Sequence, residues 1–264
     1  MCIRDRLELF SPQLFESRKH LEWDDRQERV LAEQQKLVGN LLVQAKTTTE
    51  VTTQEKSQAL LFGIRKRGID CLPWTKECRE WQARVGLMAN LKSEQNENWP
   101  KVDDESLSNT LEDWLLVWLD GKSTMKALSQ LDLIAILKAM LDYQQQQKLQ
   151  SMLPVRYAVP SGSKVQLRYA DEDDPVLSVK LQEMFGCVEN PAVANGQVLL
   201  KVELLSPARR PVQLTKDLVN FWTNSYPAVK KDMAGRYPKH DWPDDPLSAK
   251  PTAYAKPRKK KPGR

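Results

Sequence analysis

The sequence predicts an α+β protein, on three observations. Residues Gln54–Met152 hold successive runs with apolar side chains at helical spacing. From Val155 onward, short alternating segments are separated by turn residues, Pro160-Ser161-Gly162-Ser163 and then Asn195-Gly196. Ahead of Gln54, Leu7–Lys46 reads as a β-hairpin or three-stranded meander around Asp24–Glu28, with a helix over Asp25–Leu42 as the competing reading. Strands and helices interspersed in this way, with hairpins, are the α+β pattern. With 264 residues, 41% of them apolar, and eight Trp, the chain can fill a core.

Taken in order, Met1–Arg6 does not read as a natural start and is set aside, so the expectation is the C-terminal piece of a longer protein. Residues 7–52 form the hairpin or meander, an upstream-domain remnant, and end in the polar, β-branched linker Thr47–Thr53. Residues 53–152 form a helical bundle. Thr53 caps a run to Arg67 that Gly68 breaks, and a second run carries Trp81, Val85, Met88 and Leu91. Asp103 or Asp104 caps a third with Leu107, Leu111, Trp114, Leu115 and Trp118 on one face, ending at Gly121. Asp132–Leu141 and Tyr143–Met152 complete the bundle, and its Trp stripe reads as core rather than as a stacking site.

Residues 153–246 form the α+β module: a hairpin over Val155–Val159 and Lys164–Tyr169, a short helix over Val176–Phe185 stopped by Gly186, and strands at Gln197–Leu205 and Val212–Leu214. Two short helices follow, Lys216–Thr223 capped by Thr215, and a run capped by Ser225 with Pro227 in its first turn and Gly235 at its end. The next segment, RYPKHDWPDDP, has too many prolines for a regular element. It is expected to lie as an extended strap, with Tyr237 and Trp242 buried on the preceding strands. Residues 247–264 are expected to be a disordered basic tail.

Charge and composition narrow the function. Lys250–Arg264 carries seven cations and no acid, so of the chain's 40 basic and 35 acidic residues the body keeps a net −2. Cys2, Cys71, Cys78 and Cys187 match no zinc spacing and read as reduced thiols in a cytoplasmic protein. No apolar run approaches the ~18 residues of a membrane span. Gly121-Lys122-Ser123-Thr124 imitates the end of a P-loop, but Leu116 stands where that loop needs its first glycine. His240 beside Asp241 has no accompanying nucleophile. No catalytic, cofactor-binding or metal-ligating residue is assigned, and the chain alone is expected to lack ATPase activity.

Leu204–Trp222 (LLSPARRPVQLTKDLVNFW) and Tyr226–Pro246 (YPAVKKDMAGRYPKHDWPDDP) closely resemble the C-terminal end of the HrpB family of bacterial ATP-dependent RNA helicases. Pro175–Gly186, Cys71–Trp74 and Glu112–Gly121 resemble the same family in the same order. The resemblance implies an accessory region that scaffolds a helicase and contacts RNA. Its partner in cis would be the helicase core, where ATP and magnesium would also bind. A protein-interaction module docking through the Trp/Tyr strap is the alternative. Candidate RNA contacts are Arg209, Arg210, Lys230, Lys231, Arg236 and Lys239, with Arg258, Lys259, Lys260 and Lys261 in the tail, and Tyr226 and Tyr237 as stacking platforms. Separate surface charges balanced by Asp217, Asp232, Asp241, Asp244 and Asp245 would look the same in sequence.

Overall fold

A computed structural model describes residues 15–24, 26–48, 50–91, 98–171 and 174–255, so Met1–Arg6 and the cations at 256–264 lie outside the described residues. The chain divides into two compact units, residues 1–78 with 101–141, and residues 79–100 with 142–264. The division does not follow the boundaries drawn from sequence at 52/53 and 152/153. The helices of residues 53–152 are shared between the two units. No helix among the described residues is long and apolar enough to cross a membrane.

In the first unit, strands β1 (Phe15–Asp24), β2 (Arg29–Val38) and β3 (Leu41–Thr47) form an antiparallel meander, which decides against a helix over Asp25–Leu42. Asp24 Oδ1 accepts from the backbone N–H of Arg26 and Gln27 and so fixes the first turn, while Gly39 at φ +57 serves the second. Helix α1 (Thr53–Arg67) follows, and its cap is Thr52 rather than Thr53. Thr52 and Glu55 form a reciprocal capping box, which lowers the Glu55 pKa.

Trp23 is buried, and α1 admits it only because position 63 lacks a side chain. A Cβ at Gly63 would lie 2.4 Å from Trp23 Cδ2. Gly63→Ala should therefore lift the meander from α1 at a cost of about 1–3 kcal/mol, despite the better helix propensity of alanine. Urea unfolding followed by circular dichroism checks this, and an unchanged midpoint would show that the ring simply rotates aside.

The expected third helical run is broken into α3 (Asp104–Asn109), α4 (Leu111–Trp114) and a 3₁₀ turn at Leu116–Leu119. Asp103 caps α3 by accepting from Ser106 N. Leu107, Leu111, Trp114 and Leu115 are buried as the periodicity implies, and Trp114 Nε1 donates to the Leu107 carbonyl. The tighter 3₁₀ turn rotates Trp118 off that face, leaving it 44% exposed beside Val117 at 81%. Helices α5 (Met125–Leu128) and α6 (Leu133–Lys138) complete the unit, the latter shorter than expected.

The second unit contains most of α2 (Lys76–Asn90), α7 (Tyr143–Met152) and a five-stranded sheet. The sheet strands are β4 (Arg156–Ala158), β5 (Lys164–Arg168), β6 (Val176–Lys180), β9 (Lys201–Leu205) and β10 (Pro211–Thr215). Their spatial order is β10-β9-β6-β5-β4. A short ribbon, β7 (Ala192–Val193) with β8 (Val198–Leu199), lies between β6 and β9 in sequence. The helix expected over Val176–Phe185 is instead strand β6 and a 3₁₀ turn, Leu181–Met184. Strand β6 is central, with Val176, Leu177 and Val179 all buried, and a strand covered on both faces loses its alternation and mimics a helix.

The C-terminal helices also differ from expectation. Asp217, not Thr215, caps α8 (Leu218–Asn220), which continues through a π-turn at Phe221–Ser225 into α9 (Tyr226–Arg236). Ser225 makes no side-chain cap, and Gly235 lies inside α9 rather than ending it. The wider π-turn coincides with an aromatic cluster. Phe221 and Trp222 have centroids 4.9 Å apart, Trp222 and Tyr226 5.6 Å, and Phe185 packs on both Trp222 and Tyr226.

Candidate nucleic-acid interface

Strands β6 and β9 are parallel, with Lys180 paired to Leu205, so the turns after them leave the sheet at one end. The turn after β9 is Ser206–Arg210. Ser206 N donates to the Arg210 carbonyl, Ser206 Oγ accepts from Arg210 N, and Arg209 N donates to the Ser206 carbonyl. Pro207 presets the turn, and Arg209 sits at φ +61, where glycine is usual. Arg210 therefore lies across from Ser206, two strand spacings from the end of β6. That places the Arg210 and Lys180 backbones ~10 Å apart.

Arg209 and Arg210 are exposed and have no ion pair among the described residues. Lys180 donates to the Ala253 carbonyl at 3.3 Å and likewise has no acid partner among the described residues. Sequence reasoning missed Lys180 because a helix over Val176–Phe185 does not place it at a strand end.

The strap crosses the turn that follows β6. Gln182 is buried, its Nε2 donates to the Asp241 carbonyl at 2.7 Å, and its Oε1 lies 2.8 Å from His240 Nδ1. Because Gln182 Nε2 is committed to a carbonyl, Oε1 can only accept, so His240 Nδ1 carries the hydrogen. The imidazole pKa is lowered by burial and, to a lesser degree, by Lys180. The ring is thus neutral at pH 7, with Nε2 bare. Further along, Gly186 N donates to the Pro246 carbonyl and Thr252 N to the Gln182 carbonyl. The tail expected to be disordered from residue 247 therefore continues along this turn to Ala255 in the described structure. The strap rests on the Leu181–Gly186 turn and on α9, not on the faces of the strands as expected.

The remaining sequence candidates fare differently. Lys230 pairs with Asp244, and Arg236 with Asp232 at 3.0 Å, so each is neutralised as the surface-charge reading supposed. Lys231 and Lys239 are exposed. Arg258, Lys259, Lys260 and Lys261 lie outside the described residues. Tyr226 cannot stack a base. It is 1% exposed, its hydroxyl donates to the Pro243 carbonyl, and burial raises its pKa. Tyr237 is half-buried, and its carbonyl accepts from Trp242 Nε1. The Gly121–Thr124 segment pairs with the first β-turn, Val30 N donating to the Ser123 carbonyl and Met125 N to the Glu28 carbonyl, so it forms no phosphate cradle. Among the described residues no cluster of His, Cys, Asp and Glu could hold a metal.

Comparison with known proteins accounts for both units. The family described as ATP-dependent helicase C-terminal matches residues 114–246, and the connector region of ATP-dependent RNA helicase HrpB matches residues 14–47, the meander. The ATP-dependent RNA helicase HrpB of Escherichia coli (strain K12) is 43% identical over 252 residues, covering 96% of this chain and 31% of that protein. The crystal structure of E. coli DExH-box NTPase HrpB matches with a TM-score of 0.75 at 42% identity, over 95% of this chain and 31% of that one. A second crystal structure, of Escherichia coli DEAH/RHA helicase HrpB, matches with a TM-score of 0.66 at 41% identity, over 88% of this chain and 29% of that one. The chain thus spans about a third of the length of the relative it matches.

Proposed function

The chain belongs to the HrpB family of ATP-dependent helicase C-terminal regions, and from that membership we propose that it is the accessory region of a cytoplasmic ATP-dependent RNA helicase. In this reading it packs against the helicase core in cis and guides RNA through phosphate contacts. In the same reading, ATP and magnesium would bind that core. The observation that carries the RNA contact is the gathering of Lys180, Arg209 and Arg210 at one end of the sheet, without acid partners among the described residues.

Single-stranded RNA binding should therefore be weak, with a log–log salt slope of roughly −0.7 per phosphate. Arg209→Glu with Arg210→Glu should shallow that slope by about two phosphates' worth, whereas Lys230→Glu should leave it nearly unchanged. If deleting residues 256–264 abolishes all binding and the double reversal changes nothing, the sheet end is not the RNA surface.

A protein-interaction role has its own support, though not from the strap, whose Trp242 is turned inward at 8% exposure. Exposed Val117 and Trp118 are held out by fully buried Leu115 and Leu119 on either side, so their exposure is built into the turn. If the helicase core packs there, adding purified E. coli HrpB core should slow amide exchange at Val117 and Trp118, and Val117→Asp should weaken that association at least tenfold. Unchanged exchange on complex formation would remove this surface from consideration.

A further inference from the structure

His240 stands beside this cation cluster in a defined chemical state. The commitment of Gln182 Nε2 to the Asp241 carbonyl forces His240 Nδ1 to donate, so the ring offers Nε2 as a hydrogen-bond acceptor. No hydrogen-bond partner for Nε2 is present among the described residues, and the ring is half-exposed. Tyr237 packs edge-on against it with centroids 6.3 Å apart, which limits how far it can swing. Lys180 lies close enough to depress its protonation, and Lys239 and Asp241 flank it in the strap.

The cations at this end are donors, suited to phosphate oxygens. A bare imidazole nitrogen is the opposite, since it repels a phosphate and takes a hydrogen from a hydroxyl. In a single strand held by its phosphates, the group that supplies such a hydrogen beside the backbone is the ribose 2′-hydroxyl, which DNA lacks. We propose that His240 reads the sugar: its Nε2 accepts from the 2′-hydroxyl of a nucleotide whose phosphates lie on Lys180 and Arg210. His240 is then the residue that makes this end of the sheet prefer RNA to DNA. The assignment rests on the phosphate contacts proposed above, and it adds a specificity that cations alone do not supply.

The test uses the full chain with fluorescein-labelled oligouridylate and the deoxy oligomer of the same sequence, followed by anisotropy at low salt and pH 7.5. The intact chain should favour the RNA about two- to tenfold, the range of one hydrogen bond. His240→Ala should bring that ratio to about one while leaving the salt slope for DNA unchanged, and Lys180→Met should weaken both oligomers alike. Because His240→Ala also removes a contact to Gln182, unchanged amide protection at Gly186 and Thr252 is needed to show that the strap is still docked. An independent readout requires no variant. The chain has two histidines, and the ¹⁵N resonance of His240 Nε2 should shift on adding the RNA but not the DNA. RNA binding with no such shift, or an RNA preference that survives His240→Ala with the strap docked, overturns the assignment. Failure of both oligomers to bind overturns the phosphate reading on which it stands.

Discussion

Arg84→Ala should destabilise the second unit by about 2–5 kcal/mol, one of the two largest effects expected of a single substitution in this protein. Arg84 is 8% exposed. Its Nε donates to the Leu153 carbonyl at 2.8 Å, and Nη2 to the Leu149 carbonyl at 3.4 Å and to Gln150 Oε1 at 3.3 Å. It therefore caps the C-terminus of α7, where the helix dipole favours a cation. The same group lies 5.9 Å from the centroid of the Tyr169 ring, and burial lowers its pKa. One turn earlier on α2, buried Glu80 accepts from Tyr169 N at 2.6 Å through Oε2, while Oε1 has no hydrogen-bond partner among the described residues. Removing the cation strands two carbonyls and takes away the contact with the Tyr169 ring. Two-state urea unfolding measures the loss. If Arg84→Ala costs less than about 1 kcal/mol, water has taken over the cap.

The Arg84 network also shows where the sequence was legible. Trp81, Val85 and Met88 sit at helical spacing and are buried, so periodicity found α2 and its inward face. Glu80 and Arg84 lie on the border of that face, and a rule that counts apolar residues reads them as solvated. Their burial depends on a carbonyl-rich helix end and a ring contributed by residues 65 to 89 positions away, contacts that no local pattern encodes. The meander and the hairpins after Val155 were readable because their turn residues act locally. The central strand β6 was not, since burial on both faces erased the alternation that identifies a strand. That one misreading also hid most of the candidate site. Arg209 and Arg210 were visible as a charged pair, but with β6 taken as a helix, neither Lys180 nor its pairing with Leu205 could place them at a shared sheet end. The strap was recognised by its prolines, and its docking surface was misplaced for the same reason.

Trp242→Ala should undock the strap and cost about 3–5 kcal/mol, the sum of lost transfer energy and the cavity left behind. Trp242 is 8% exposed, and its Nε1 donates to the Tyr237 carbonyl at 3.1 Å, closing the turn that leads out of α9. Beyond it, the Pro243 carbonyl accepts from the Tyr226 hydroxyl at 2.9 Å and the Pro246 carbonyl from Gly186 N at 2.9 Å. Pro238, Pro243 and Pro246 reduce the entropy the free strap must surrender. Once the indole is gone, the backbone bonds that remain must hold the strap without a buried anchor, and Tyr226 gains water at its hydroxyl. Amide exchange should therefore rise at Gly186 and Thr252, whose N–H groups are held by strap-dependent contacts, while amides of the meander and α1 keep their protection. Trp242→Phe should lose less, because the ring is retained and one hydrogen bond is lost. If Gly186 and Thr252 remain protected in Trp242→Ala, the strap is anchored by its hydrogen bonds to Gln182 instead. Gln182→Ala would then be the variant that releases it.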